Sequence, residues 1–358
     1  MPRILTRDLI PGMKLDEDAY GANDVLIVPK GTELDDKIIT ALSFYTVQSV
    51  RITDDTAGIE PPSQSEQEST YSQRIRKSVE FKVFEKKFEQ SIGSLKKNLS
   101  DLVLRSRVNL DELYVEPARL VASNPSGIHM FDMLHNMRLF DDPTYVHSLN
   151  VSLICNVFGR WLNLPYQDVK ILTLCGLMHD VGKMKVPNQI IGKPARLTDE
   201  EFRIIKRHTL EGYYMMKDMD IDEHIKMTAL MHHERCDGGG YPSRLTTEQI
   251  DPFARIVAIA DVYDAMTSAR VYRGPICPFK VIEIFQQEGL NKYDPKYILT
   301  FLEYITDTYM NNTVELSDGR RGQIVMINKL NLSRPLIKLS DGYVDLYEQR
   351  DLSIEKII

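Results

Sequence analysis

His179-Asp180-Val181-Gly182-Lys183, closing an apolar run that carries Val169, Leu172 and Leu177, is the stretch on which the reading of this chain turns. Apolar residues three and four apart mark one buried face of a helix, and here that face ends in an imidazole beside a carboxylate. The same pairing of apolar helix and ligand residue recurs outward in both directions. His147 precedes Val151, Cys155 and Phe158, and Thr198 with Glu201 reads as a capping box opening a helix that carries His208. His232-His233 ends another apolar pattern, and Asp261 lies on a helix beginning at Pro252. Nearly everything from Asn109 to Met310 repeats the helical period, so the chain is expected to be mainly α.

Imidazole and carboxylate together form the ligand set of first-row divalent metals. A single histidine on an apolar helix face is usually a core residue with a satisfied hydrogen bond. Five of the six histidines within residues 147–261 used in this way, two of them adjacent, are a different matter. A carboxylate directly after a histidine can bridge two ions while the histidine holds one. Two ions a few ångströms apart suit phosphodiester hydrolysis, one activating water and the other offsetting phosphate charge. The expectation is a metal-dependent phosphodiesterase.

Composition bounds the partners. The 358 residues are 43% hydrophobic and 27% charged, enough for two or three domains. A net charge of -7 and a pI near 5.7 leave no footprint for DNA or RNA. Cys155, Cys175, Cys236 and Cys277 lack metal-knuckle spacing and read as reduced thiols. No apolar run approaches a membrane span, and the start, Met1-Pro2-Arg3-Ile4-Leu5, has no signal-peptide core. A cytoplasmic protein without a membrane partner is expected.

Four segments are expected. Residues 1–56 alternate short apolar runs with turns such as Pro11-Gly12 and read as a small α+β module, a packing or protein-partner surface. Residues 57–108 combine a Pro/Ser/Gln/Glu-rich linker with one long amphipathic helix over 72–104. That helix can dock on the following domain, the favoured reading, or form a homodimer seam. Residues 109–312 hold the ligand residues. Asp251-Pro252 and Asp294-Pro295 each read as a cap followed by proline at the first helical position. Residues 313–358 turn β-rich, with Asp-Gly turn signals, and form a short appendage.

The blocks His179-Asp180-Val181-Gly182-Lys183, His232-His233-Glu234, Asp237-Gly238-Gly239-Gly240-Tyr241-Pro242 and Ala260-Asp261-Val262-Tyr263-Asp264-Ala265-Met266-Thr267 resemble the HD-GYP family of the HD phosphohydrolases. The resemblance spans roughly residues 115–310. It implies an all-helical HD-type catalytic domain that hydrolyses cyclic di-GMP to pGpG and/or GMP by a metal-bridging hydroxide. His147, His179, Asp180, His208, His232, His233 and Asp261 match the metal ligands, with Asp180 bridging two ions, iron or manganese. Asp180 and Lys183 would be catalytic. Lys183, Tyr241, Asp264, Arg270 and Arg273 match positions that contact the substrate. Gly182 reads as the stop of the His179 helix.

One departure concerns the metal number. Some members hold a third ion with a glutamate four residues before the first histidine, where this chain has Pro143, beside Asp141 and Asp142. Proline offers no donor, so two ions are expected. Two alternatives accompany the main reading. The substrate can be cyclic GMP-AMP, since no residue named here reads guanine uniquely, or the chain can be a catalytically silent effector that binds a cyclic dinucleotide.

Overall fold

Hydrophobic periodicity becomes helix throughout the central region. In this computed structural model the described residues are 71–105, 108–123, 127–137, 143–193, 197–268 and 276–358, with 3–6, 9, 12–20, 26–34, 38–39, 42, 47 and 49–53 near the start. The chain divides near residue 70 into two units. The first has its own small core of Leu15, Leu34, Leu42, Val50 and Ile52. Strand β1 (Arg3–Leu5) pairs antiparallel with β4 (Ser49–Arg51), and β2 (Ala19–Tyr20) with β3 (Leu26–Val28).

The second unit is mainly helical. Its centre is the pair Pro143–Trp161 and Tyr166–Met178, joined by a short connection and packed along their lengths. Leu149, Leu153, Phe158, Leu172 and Met178 are buried between them and their neighbours. The helices His208–Met216, Glu223–Met231 and Pro252–Thr267 close around this pair. The helices Pro252–Thr267 and Pro295–Asp307 have starts held by side chains accepting from free backbone N–H groups. Asp251 accepts from Phe253 and Ala254, and Asp294 from Lys296 and Tyr297, each before a proline. Thr198 and Glu201 form a reciprocal capping box.

Two helix expectations need correction. The capping-box helix, Asp199–Lys206, does not carry His208, which opens the next helix after a bend at Arg207. The carbonyl of Ile205 accepts from His208 Nδ1 at 2.7 Å, so the histidine ring takes an acceptor that a straight helix would use. The expected single helix over 72–104 is two, Tyr71–Lys77 and Val79–Arg105. Ser78 separates them, its Oγ accepting from the N–H of Phe81 at 3.1 Å as a helix-starting cap.

The longer of those two helices docks. Phe81, Phe84, Phe88, Ile92, Leu95, Leu99 and Leu102 are buried in the same core as the helix pair, so the apolar stripe is covered by its own chain. The C-terminal strands also share this core. Strands β5 (Thr313–Leu316), β6 (Arg321–Met326), β7 (Leu336–Lys338), β8 (Tyr343–Asp345) and β9 (Ile354–Ile357) form an antiparallel sheet in the order β8-β7-β6-β5-β9. Val314, Ile324, Ile337 and Val344 point from it into the helical core. Among the described residues no helix is long and apolar enough to cross a membrane.

Candidate metal centre

Three histidines are held the same way. His179 Nδ1 meets the carbonyl of Gly176 at 2.7 Å, His208 Nδ1 that of Ile205 at 2.7 Å, and His232 Nδ1 that of Thr228 at 3.0 Å. A carbonyl only accepts, so each Nδ1 carries the proton and each Nε2 presents a lone pair. All three Nε2 atoms converge on Asp180, which is buried at the turn after the His179 helix.

The two oxygens of Asp180 face different groups. Its Oδ1 lies 3.3 Å from His208 Nε2 and 3.7 Å from His232 Nε2. Its Oδ2 lies 3.3 Å from His179 Nε2 and 3.7 Å from His147 Nε2. Asp261 closes the second group, with Oδ1 2.9 Å from His147 Nε2 and 4.0 Å from His179 Nε2. His233 Nδ1 stands 3.8 Å from Asp261 Oδ2. Two donor clusters result, Asp180 with His208, His232 and His233, and His147 with His179 and Asp261.

These donors fit divalent cations. His208 Nε2 and His232 Nε2 face each other at 3.2 Å, lone pair toward lone pair. His179 Nε2 and Asp180 Oδ1 are buried without a hydrogen-bond partner. Each such orphan costs roughly 1–3 kcal/mol, and a cation between the donors satisfies them together. The pKa shifts agree. Burial lowers His208 to about 3 and also lowers His232 and His233, keeping these imidazoles neutral and able to ligate. Burial opposes the charge of Asp180, yet the Lys183 ammonium and His179 hold its carboxyl well below the usual range. Burial likewise works against His147, but its hydrogen bonds to Asp261 and Asp264 lift it to about 9. The proton on its Nε2 side occupies the place a cation would take.

Asp264 is buried behind His147. It is 3% exposed, and its Oδ2 accepts from His147 Nδ1 at 2.7 Å. Its Oδ1 accepts from Asn150 Nδ2 and Ser268 Oγ, both at 2.9 Å. A carboxylate behind an imidazole sets the ring's tautomer and direction, and this is the contact Asp264 makes here. Asn150 and Ser268 were missed from sequence. The signal was present in the spacing, since Asn150 follows His147 by three and Ser268 follows Asp264 by four, one helical turn in each case.

Gly182 changes role. It lies inside the short 3-10 turn Val181–Lys185, so the His179 helix stops before it. A Cβ there would stand 1.9 Å from the carbonyl oxygen of His208 and 2.4 Å from the nitrogen of Gly212. The missing side chain lets the Asp180 turn lie directly on the His208 helix. Lys183, in the same turn, pairs with Asp180 Oδ2 and is only partly buried.

The glycine-rich loop folds back over the His232-His233 end. A Cβ on Gly240 would meet the Arg235 nitrogen and Glu234 Cα at 2.5 Å, which keeps that position bare. Glu234 is buried and ties the loop down, accepting from the N–H groups of Ser243 at 2.6 Å and Leu245 at 3.0 Å. Tyr241, before a cis peptide to Pro242, lays its ring 4.7 Å from that of His233. Arg270, Arg273, Asp141 and Asp142 lie outside the described residues. Pro143 starts the His147 helix.

Comparison with known proteins adds the lineage. Residues 122–297 match the HD domain. A cyclic di-GMP phosphodiesterase of Pseudomonas aeruginosa is 36% identical over 58% of this chain and 50% of its own length. A 3'3'-cGAMP-specific phosphodiesterase of Vibrio cholerae is 39% identical over 40% of this chain and 34% of its own. A cyclic di-GMP phosphodiesterase of Thermotoga maritima is 32% identical over 55% and 54%. The chain thus spans about half the length, or less, of these curated relatives. The helical region across residues 122–297, with the two donor clusters at its centre, is the part of the chain that matches the HD domain.

Proposed function

We propose that this chain is a metal-dependent phosphodiesterase of the HD-GYP type that hydrolyses cyclic di-GMP to pGpG and/or GMP. The observation that carries the reading is Asp180, whose two oxygens face two separate sets of imidazole nitrogens. A single carboxylate so shared suits a two-ion centre, and similarity to relatives named as cyclic di-GMP phosphodiesterases supports that substrate class.

In this proposal His208, His232 and His233 hold one ion, His147, His179 and Asp261 the other, and Asp180 both. When bound, two such ions, iron or manganese, acidify water and offset phosphate charge. The donor set accommodates either metal, and affinity order does not choose between them. Lys183 supplies a cation beside Asp180, where it neutralises a phosphate oxygen. Asp264 keeps His147 turned toward the centre. Tyr241 offers its ring edge and hydroxyl to a base or sugar, and Arg270 and Arg273 are assigned to the phosphate and guanine edges.

Cyclic GMP-AMP is the second substrate reading, favoured by the 39% identity to the Vibrio cGAMP-specific relative. One experiment tests both. The purified chain loaded with iron or manganese is given each dinucleotide separately and in competition, and products are separated by chromatography. Conversion of cyclic di-GMP to pGpG or GMP is expected. Binding without turnover of either dinucleotide, in protein shown to hold its ions, would leave only the silent effector.

A further inference from the structure

Beyond the donor clusters, side chains from three parts of the chain stack into a column leading outward. The His233 ring lies against the Tyr241 ring at 4.7 Å. The ammonium of Lys206 stands over the other members of this column, 5.6 Å from the Tyr241 ring centre and 4.9 Å from that of Phe202. Phe202 and Lys206 are one turn apart on the helix Asp199–Lys206, an ordinary helical neighbour pair. Tyr241 is different, since it reaches Lys206 from the glycine-rich loop and touches a donor of the metal centre at the same time.

Two features make this cation notable. Among the described residues Lys206 has no carboxylate partner, whereas its neighbours Lys193, Arg203 and Arg207 each face a glutamate. Aromatic faces attract an ammonium without neutralising it. Its charge is therefore held in place and left available, one side-chain layer further out than Tyr241. A phosphate lodged among the metal donors would already be served by Lys183. A second, more distant phosphate would not.

We infer that Lys206 binds the phosphodiester of a cyclic dinucleotide that is not being cleaved, with the Tyr241 and Phe202 rings fixing the ammonium. This rests on the phosphodiesterase reading and deepens it. A cyclic dinucleotide carries two phosphates on opposite sides of one ring, so the bond at the metal centre and the cation at Lys206 engage a single molecule at two points. A simple diester with one phosphorus engages only the first.

The test compares kcat/KM for cyclic di-GMP with kcat/KM for bis(p-nitrophenyl) phosphate, in metal-loaded wild type, Lys206→Met and Lys206→Arg. Methionine keeps the packing against the rings and removes the charge; arginine keeps the charge and stacks on aromatic faces. The ratio of dinucleotide to simple diester is expected to fall about tenfold in Lys206→Met, through KM, the size of one charged hydrogen bond. Lys206→Arg should recover most of it. An unaltered ratio in Lys206→Met, with cyclic di-GMP still turned over, overturns the Lys206 assignment alone. Wild type that cleaves the simple diester and neither cyclic dinucleotide removes the substrate reading and this assignment with it.

Discussion

Replacing Asp264 by asparagine isolates what holds the metal centre in shape. In the native chain Asp264 Oδ2 accepts from His147 Nδ1 at 2.7 Å while Oδ1 accepts from Asn150 and Ser268. An asparagine oxygen can keep the two bonds to Asn150 and Ser268. Its amide nitrogen then faces His147 Nδ1, donor against donor, and the imidazole proton is driven to Nε2. There it donates to Asp261 Oδ1, 2.9 Å away, and the lone pair needed for ligation is lost. Loss of such an outer partner weakens metal binding by about 10–100-fold, or roughly 1.4–2.7 kcal/mol. Equilibrium dialysis against buffered free manganese, counting ions per chain, reads this directly. One ion should require about 10–100-fold more free metal for half-loading, while the ion served by His208, His232 and His233 changes less. Superimposed loading curves for the variant and wild type would refute the positioning role. A rise in KM with superimposed loading would return Asp264 to the substrate surface.

Three further outcomes are expected. Asp180→Ala removes the carboxylate shared by both donor clusters, so turnover and bound metal should both be lost while far-UV circular dichroism stays helical; full activity in that variant ends the metal-centred reading. Gly182→Ala places a Cβ against the His208 carbonyl, an overpacking that should cost at least about 1–3 kcal/mol and lower the urea midpoint; a wild-type midpoint would show that the turn is not held against that helix. Elemental analysis of protein prepared with abundant iron or manganese should find about two ions per chain, as expected of a two-metal hydrolytic site, and a reproducible third would contradict the assignment made from Pro143.

Much of the architecture was legible because helical periodicity and end signals are local. The N-caps at Asp251 and Asp294, the capping box at Thr198 and the burial of the 79–105 stripe follow from residues a turn or two apart. The breaks at Ser78 and Arg207 were not, because each depends on a side chain outcompeting a backbone bond. Such contests are settled by packing on the neighbouring helices. Gly182 shows the same limit, since a glycine after a helix looks like a terminator until the backbone of a distant helix is found against it.

By itself, the sequence pointed to the seven candidate donors and to the helical segments that carry them, because motif spacing is a property of the chain. Only the tertiary structure decided how those donors are shared. It sorted them around the two oxygens of Asp180, turned three imidazoles by bonds to the carbonyls of Gly176, Ile205 and Thr228, and set Asp264 behind His147. It also brought Tyr241 between His233 and Lys206. Those relations join residues up to 117 positions apart. Such distant groups meet only when the helices bury their apolar faces together, and it is that packing which aims each lone pair.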